Sequence, residues 1–386
     1  MRRHRTGLGG SLPVETVRAF ARGFASFAVA RTLAPLERVM LVSRTRLLVL
    51  GTVALPIFTF YGCAPSSDPP MSGSDTSSQA EIPEPDVFLT SDQTHARWSA
   101  TIPPVATVQS GSVVEVQTME ASDGQFAFES TVADVETVSF DPIHPLTGPV
   151  AVEGASPGDV LAVTLLDIEV DEWGWAAIVP GFGFLADRFT DPYYKSFEID
   201  PDASHIRFND RISVPLAPFP GVMGVAPATD SLLATIPPRA NGGNMDNRHM
   251  VVGTTIYFPV FVEGANFSIG DTHAAQGDGE VSGTAIEAGM RVRYRIEVVE
   301  GARAIEEPQY ETDEYYAVTA FATTLDEAAR KATGYMIDYL TAEHGLTPEE
   351  AYILCSVAGD LKISEVVDVP HMLVSMHMPK EVLGID

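Results

Sequence analysis

Basic residues are scarce in this chain of 386 residues. Its 24 lysines and arginines are outnumbered by 52 aspartates and glutamates, which gives a net charge of −28. A surface with such a negative excess repels phosphate groups and anionic lipid headgroups. The composition therefore excludes nucleic acid, and a bare anionic membrane surface, as the main partner.

Cysteine is also rare, because only Cys63 and Cys355 are present. Two cysteines are too few for a disulfide framework. Cys355 lies in the apolar run at residues 352–357, a setting typical of a small core residue. The same setting argues against a hydrolase that uses this thiol as its nucleophile.

A membrane-spanning apolar run is missing from the N-terminal region. The apolar stretch at residues 47–61 has 15 residues, fewer than the roughly 20 that a spanning helix needs. It follows a short basic segment, residues 40–46, and precedes Gly62 and Cys63. A basic segment, an apolar run and then a small residue at a processing site is the order found in secretory signals. Gly62-Cys63 resembles a bacterial lipobox, in which the cysteine carries the lipid. A plain signal peptide and an N-terminal anchor are the alternatives.

The N-terminal pattern leads to three predictions. Residues 1–62 form a targeting segment, with Met40 as an alternative start, and residues 63–86 form a flexible Ser/Pro-rich linker. The protein is exported, on the periplasmic or cell-surface side. It contacts the membrane only through a lipid at Cys63.

Long helical patterns are missing from the body of the chain. Proline-rich links at residues 102–104, 215–220 and 236–238 interrupt it repeatedly. Between such breaks stand β-branched runs that predict strands at residues 112–118, 160–168, 254–262 and 291–299. We therefore predict a β-rich body, a sandwich or barrel, over residues 87–300.

Helical spacing begins near Thr324. Apolar residues recur at helical intervals over residues 325–340. A second helix opens at Thr347 as N-cap, with Pro348 in the first turn and Glu350 in the capping-box position. Strands are expected at residues 366–369 and 373–376. Residues 301–386 are thus predicted to be a smaller α/β part that completes the same unit, and the fold class is α+β overall.

One polar segment, residues 270–280, is unusually dense in reactive groups. It holds three carboxylates, one imidazole and one amide side chain between three glycines: Asp271, His273, Gln276, Asp278 and Glu280. The runs at 254–262 and 281–287 on either side read as strands. The segment is therefore expected to be a loop between them, and loops often carry catalytic and binding residues.

Several short motifs, taken in order, resemble the acetamidase/formamidase family of amide hydrolases. They are HARW at 95–98 with IPPVATV at 102–108, ASDGQ at 121–125, HPLTGPV at 144–150, PGFG at 180–183, GVMGVAP at 221–227, NGGNMD at 241–246, the polar segment 270–280, and AGDLKIS at 358–364. The resemblance covers residues 95–379. It implies a β-sandwich or barrel with a small α/β part, hydrolysis of formamide or acetamide to the acid and ammonia, and a homo-oligomer.

Amide hydrolysis needs an activated nucleophile, a stabilised oxyanion and a proton for the departing ammonia. A divalent metal can supply the first two, and an oxygen and nitrogen donor set suits Zn²⁺, with Ca²⁺ as the harder alternative. The predicted metal ligands are Asp246, Asp271 and His273. The predicted catalytic groups are Glu280 as general base, Asp278 and His144. The predicted substrate-binding residues are Asp123, Gln125 and Gln276.

The same residues also have structural explanations that involve no chemistry. Asp271 and Asp278 next to glycines are common turn residues, and Asp246 could cap a helix that starts near Asn247. His144 before Pro145 could be a satisfied structural histidine. A serine nucleophile is disfavoured because the glycine- and serine-rich stretch with a Ser-Ser-Lys arrangement, which serine-dependent amidases use, is absent from the sequence. An exported binding or scaffold protein without turnover is the alternative function.

Overall fold

The computed structural model describes residues 82–385. The predicted targeting segment, most of the linker and the predicted lipid site at Cys63 lie outside the described residues, and they stay predictions. Within the described part, none of the helices is long and apolar enough to cross a membrane.

Two nine-stranded sheets make up most of the fold. The first sheet has the spatial order β1 (Val87–Leu89), β4 (Ser112–Thr118), β16 (Met290–Val299), β6 (Val160–Val170), β13 (Thr255–Pro259), β17 (Gln309–Glu311), β18 (Tyr315–Ala322), β20 (Met372–Pro379) and β19 (Asp360–Glu365). Its strands pair antiparallel, apart from the parallel pair β1 and β4. The four strands predicted for the body are all present in this sheet, as β4, β6, β13 and β16, and their ends differ from the prediction by at most a few residues.

The second sheet is built around β14 (Phe267–Ala275). Its spatial order is β12 (Gly242–Asn244), β11 (Phe219–Gly224), β14, β15 (Ile286–Glu287), β7 (Trp173–Ile178) and β8 (Tyr193–Glu198). In addition, β5 (Leu146–Val152) pairs with β14, and both β2 (Thr94–His95) and β3 (Ala106–Val108) pair with β5. A separate two-stranded sheet pairs β9 (His205–Arg207) with β10 (Ser213–Pro215).

The two large sheets bury one apolar core between them. Phe258 of β13 lies 5.6 Å, ring centre to ring centre, from Phe267 of β14, which lies 5.3 Å from Tyr294 of β16. All three side chains are fully buried. Removal of this apolar surface from water drives the sheets together. The predicted β-rich body, a sandwich or barrel, is confirmed.

The predicted C-terminal helices are confirmed. After the short α1 (Val132–Val135), the chain forms α2 (Leu325–His344), α3 (Pro348–Ala358) and α4 (Lys380–Leu383). Thr347 and Glu350 make the reciprocal capping box that the sequence indicates. α2 and α3 pack on β18 and β20 through a second apolar cluster, in which Cys355 is buried as expected. The strands after residue 300 continue the first sheet, while the boundary at residue 300 stays a prediction.

Three local expectations are wrong. The first half of the polar segment is not a loop, because Asp271 and His273 lie inside β14. Of the run at 281–287, only Ile286–Glu287 is a strand. The strand expected at 366–369 is displaced to Asp360–Glu365, since those residues pair with β20. All three errors arise because pairing partners distant in sequence decide where a strand begins and ends.

Candidate active site

His273 is the centre of a buried polar cluster. It stands opposite Glu287 in the antiparallel pairing of β14 and β15, so their side chains are cross-strand neighbours. Its Nε2 lies 3.0 Å from Glu287 Oε2 and 3.4 Å from Asp271 Oδ1. The three side chains are 1 to 3% exposed. The fold therefore brings one imidazole and two carboxylates together away from solvent.

The other ring nitrogen of His273 is already engaged. Nδ1 lies 2.8 Å from Gln276 Oε1, and the Gln276 amide donates to the Asp246 carbonyl oxygen at 2.6 Å. Since an amide oxygen only accepts, Nδ1 donates to Gln276, and whenever the ring is neutral Nε2 is the nitrogen that keeps a lone pair. Gln276 thus orients His273 with Nε2 towards Asp271 and Glu287.

The donor spacing around Nε2 fits a divalent metal. Two ligands that bind one ion at about 2.1 Å are about 3.0–3.4 Å apart when they subtend angles near 90–110°. Both measured separations fall in this range. His273 Nε2 and Glu287 Oε2 are buried and have no hydrogen-bond partner among residues 82–385, an unfavourable state unless something binds there. These buried acidic and imidazole groups could hold a metal ion.

A second group shares His273. Asp246, His273 and Glu280 each offer a donor atom within 4.8 Å of the others. Asp246 approaches from the Nδ1 side of the ring, with Oδ1 at 3.8 Å. Both carboxylate oxygens of Asp246 are buried and lack a hydrogen-bond partner in the described chain. Asp246 therefore faces the ring edge that Gln276 occupies.

Three of the six non-glycine residues with positive φ among residues 82–385 belong to the cluster. Asp246, Asp271 and Glu280 have φ values of 39°, 50° and 44°, in the left-handed region that non-glycine residues rarely adopt. Strained residues of this kind persist where the surrounding structure holds them, and they cluster at functional sites. No helix follows Asp246 in the described chain as far as β13, so the helix-cap reading of Asp246 is wrong.

Gly221 on β11 makes room for the cluster. A Cβ atom at this position would overlap Asp246 Oδ1 and would lie 2.8 Å from His273 Cε1 and 2.9 Å from the Asp271 carbonyl oxygen. Only glycine therefore fits against the three groups without displacing one of them.

Gly221→Ala is expected to abolish most activity and to destabilise the fold by about 1–3 kcal/mol, because the added methyl group overpacks a buried site. Thermal unfolding and amide turnover measure the two effects. Gly277→Ala is the matched control, since a Cβ there meets no described atom within 4 Å. A Gly221→Ala variant as active as Gly277→Ala would contradict the close packing of the site.

A small cavity opens onto these groups. Its volume is about 50 Å³, enough for a few water-sized groups. Its polar lining consists of His144, Asn244, Asp246, Asp271, Glu280, Thr284, Glu287 and Asp368. Its apolar lining includes Ala121, Phe126, Phe140, Trp175, Val179 and Phe182. A cavity with convergent polar groups and an apolar wall is typical of a small-molecule site.

Glu120 holds the apolar wall in place. Its buried carboxylate accepts hydrogen bonds from Trp175 Nε1 at 2.7 Å, Ser122 Oγ at 2.7 Å, and the backbone N–H groups of Ser122 and Gly124. Phe126 packs edge-on against Trp175, with ring centres 4.6 Å apart. These hydrogen bonds and the ring packing position Trp175 and Phe126 in the wall.

The acids of the cavity differ in protonation. Burial, reinforced by the charge of Asp246, raises the pKa of Glu280 well above its usual value. Burial also raises the pKa of Glu287 to about 7, although His273 opposes the shift. Burial opposes ionisation of Asp271, but His144 and His273 together lower its pKa below the usual value. The site thus pairs an ionised carboxylate with acids that can carry a proton near neutral pH.

Two further acids stand behind the cluster. Asp368 accepts a hydrogen bond from Asn244 at 2.7 Å, and burial together with Glu365 raises its pKa well above the usual value. Glu365 caps the backbone N–H groups of Val367 and Asp368, and burial raises its pKa to about 8. The C-terminal part of the chain therefore contributes to the same site as β14.

The predicted site residues separate into two sets. Asp246, Asp271, Glu280 and His144 line the cavity, with His144 Nε2 3.7 Å from Asp271 Oδ2. His273 does not line the cavity but contacts Asp271 at 3.4 Å. The other four do not line it either: Gln276, Asp278, Asp123 and Gln125. Their predicted roles stay predictions. In the structure, each of them either contacts another residue or is exposed.

Those four residues have the following surroundings. Gln276 orients His273, as described. The Asp278 carboxylate is 40% exposed and lies 3.0 Å from His249 Nε2. Asp123 is exposed at a turn. The Gln125 amide bridges the Ser122 carbonyl and both backbone groups of Ser139, so it fixes the chain that carries the cavity wall.

Glu287 and Asp368 were missed from the sequence. Each is a single carboxylate within an apolar run, at residues 285–288 and 366–369. An acid in such a run is rarely buried without a partner. The position of these two acids within apolar runs could therefore have indicated that they are site residues. Their distance in sequence from His273 concealed the connection.

Comparison with known proteins identifies one family. The Acetamidase/Formamidase family model matches residues 85–234 and 230–385. An acetamidase of Mycolicibacterium smegmatis is 32% identical over 268 residues, 54% of this chain and 66% of that protein, slightly under two thirds of its length. A formamidase of Methylophilus methylotrophus is 26% identical over 368 residues, 76% of this chain and 90% of that protein.

A solved structure matches as well. The crystal structure of a predicted acetamidase/formamidase from Thermoanaerobacter tengcongensis superposes with a TM-score of 0.72 and 35% identity, and the match covers 77% of this chain and 97% of that one. Fold and relatives together define the class as hydrolases of C–N bonds in amides. The chain belongs to the acetamidase/formamidase family, and the resemblance seen in the sequence is confirmed.

Proposed function

We propose that this protein hydrolyses short-chain linear amides, such as formamide and acetamide, to the carboxylic acid and ammonia. The observation that carries the proposal is the buried His273 Nε2, which faces two carboxylate oxygens at 3.0 and 3.4 Å without a hydrogen bond. We assign Asp271, His273 and Glu287 as the residues that would hold a divalent cation, with Zn²⁺ as the metal. Such a cation supplies a nucleophile at neutral pH and polarises a carbonyl oxygen.

Glu280 is the proposed proton carrier. It lines the cavity, is 7% exposed, and its pKa is raised by burial. In its ionised form it takes a proton from the attacking water as the water oxygen bonds to the amide carbon. It then gives that proton to the nitrogen as the C–N bond breaks, so that ammonia leaves. A group with a raised pKa suits both steps.

The remaining residues bind and orient the amide. The apolar wall of Phe126, Trp175 and Phe182 faces the acyl substituent and excludes water from the reacting centre. His144, at 3.7 Å from Asp271, stands where it can hold that carboxylate in position. Asn244 fixes Asp368 in the same lining. Each group therefore has a role that its contacts support.

Ammonia release from formamide, acetamide and propionamide tests the proposal. We expect turnover of at least one amide, loss of most activity after chelation, and recovery on adding Zn²⁺. Elemental analysis of the purified protein identifies the metal, with Ca²⁺ as the alternative that carboxylate ligands would favour. Full activity in a metal-free sample would contradict the metal-assisted route. A folded, metal-loaded chain without turnover would instead favour the non-catalytic binding protein.

A further inference from the structure

Phe182 belongs to two neighbouring cavities. On one side its ring forms part of the apolar lining of the catalytic cavity. On the other side it borders an apolar groove of about 170 Å³, whose lining includes Ile178, Leu185, Phe189 and Val281. One aromatic ring therefore separates the space next to the reactive groups from a second apolar space.

The position of this ring is fixed from both sides. Gly283 has φ +88, and a Cβ atom there would lie 2.7 Å from Phe182 Cε1, so the ring packs directly on the glycine backbone. Phe140 meets the ring edge-on, with centres 5.7 Å apart and planes at 64°. Gly183, the next residue, has φ +99, and a Cβ atom there would lie 2.6 Å from the Ser282 carbonyl oxygen, so the backbone beside Phe182 packs directly on this carbonyl. Phe182 is therefore packed in place between the two cavities.

The second groove has the chemistry of a hydrocarbon site. Leu185 and Phe189 are 45% and 46% exposed, which is unfavourable for large apolar side chains that meet only water. The groove continues from the catalytic cavity through Phe182 and the adjoining residues 281–284. In the proposed function the amide group lies at the residues that would hold the metal, so that its acyl chain extends along the apolar wall, and the groove lies beyond that wall.

We propose that Phe182 sets the length of the acyl chain that the site accepts. This rests on the proposed amidase function. The native protein takes amides of short apolar acids, because the ring closes the end of a cavity of about 50 Å³. Without the ring, cavity and groove join, and the occupant of the groove is the distal part of a longer unbranched acyl chain.

The test is a chain-length series of primary amides, from acetamide through butyramide to hexanamide, with the native protein and Phe182→Ala. Each methylene moved from water into an apolar site favours binding about fourfold. Hexanamide has four methylenes more than acetamide, so we expect the ratio of kcat/KM for hexanamide over acetamide to rise by about 250-fold in the variant. Introducing Phe189→Asp into Phe182→Ala should return the ratio to the native value, because a carboxylate then occupies the groove.

The outcomes separate this inference from the function on which it rests. If the native, metal-loaded chain cleaves no amide, the proposed function fails. If acetamide is cleaved by both proteins and the ratio does not change, Phe182 does not set chain length. A native protein that already prefers hexanamide would also overturn the inference. Should Phe182→Ala fail to fold in a thermal melt, Phe182→Val retains part of the packing and should move the ratio in the same direction.

Discussion

Replacing Glu280 by glutamine is expected to lower kcat for acetamide by about 10²–10⁴-fold, the usual contribution of a positioned acid–base group. Glutamine keeps the size of the side chain but cannot carry the proton from water to the leaving nitrogen. Because it also avoids a buried charge, the variant should fold and melt at a temperature no lower than that of the native protein. Steady-state kinetics, metal content and thermal unfolding provide the measurements.

Asp278→Asn is the matched control for this experiment. It removes a carboxylate two residues away that is 40% exposed and contacts His249 instead of the cavity. We expect a change in kcat of less than about threefold, as for a surface substitution. If Asp278→Asn lost as much activity as Glu280→Gln, Glu280 could not be the sole proton carrier, and the catalytic role predicted for Asp278 from the sequence would be supported.

Replacing Glu287 by glutamine is expected to remove the bound metal. The carboxylate lies 3.0 Å from His273 Nε2 on the side of the ring that is free of hydrogen bonds, so it is assigned as a ligand. Loss of an outer partner typically weakens metal binding 10–100-fold, and loss of a direct ligand should exceed about 100-fold. Activity should fall with metal content. Elemental analysis after dialysis, and activity as a function of added Zn²⁺, measure both effects.

Asp246→Asn distinguishes this assignment from the ligand set predicted from sequence. Asp246 approaches the Nδ1 edge of His273 at 3.8 Å, where Gln276 already accepts a hydrogen bond. We therefore expect this variant to keep its metal when Glu287→Gln has lost it. The reverse result, metal lost from Asp246→Asn and kept by Glu287→Gln, would restore Asp246, Asp271 and His273 as the ligands.

The sequence was most informative where local chemistry decides structure. The capping residues Thr347 and Glu350 determine where α3 begins whatever packs against it, and both were read correctly. Asp271 and His273 are two residues apart on one strand, so their meeting could also be expected. Motif order was sufficient to identify the family.

What the sequence could not show depends on contacts between distant residues. Glu287 meets His273 only because β15 pairs with β14 in one particular register, and a shift of one residue would point the acid to the other face. Asp368 reaches the cavity from beyond residue 300 through its bond with Asn244. Neither register nor such a long-range contact can be read from composition or spacing. Site residues that distant segments of the chain bring to His273 and the cavity were therefore the ones missed.

The left-handed backbone at Asp246, Asp271 and Glu280 has a consequence for evolution under heat. Conformations of this kind cost of order 1–3 kcal/mol each in a residue with a side chain, and glycine would relieve much of that cost. Selection for thermal resistance alone would favour glycine at these three positions. A descendant with glycine at these positions would have a more stable fold, but it would lose the carboxylates that line its cavity.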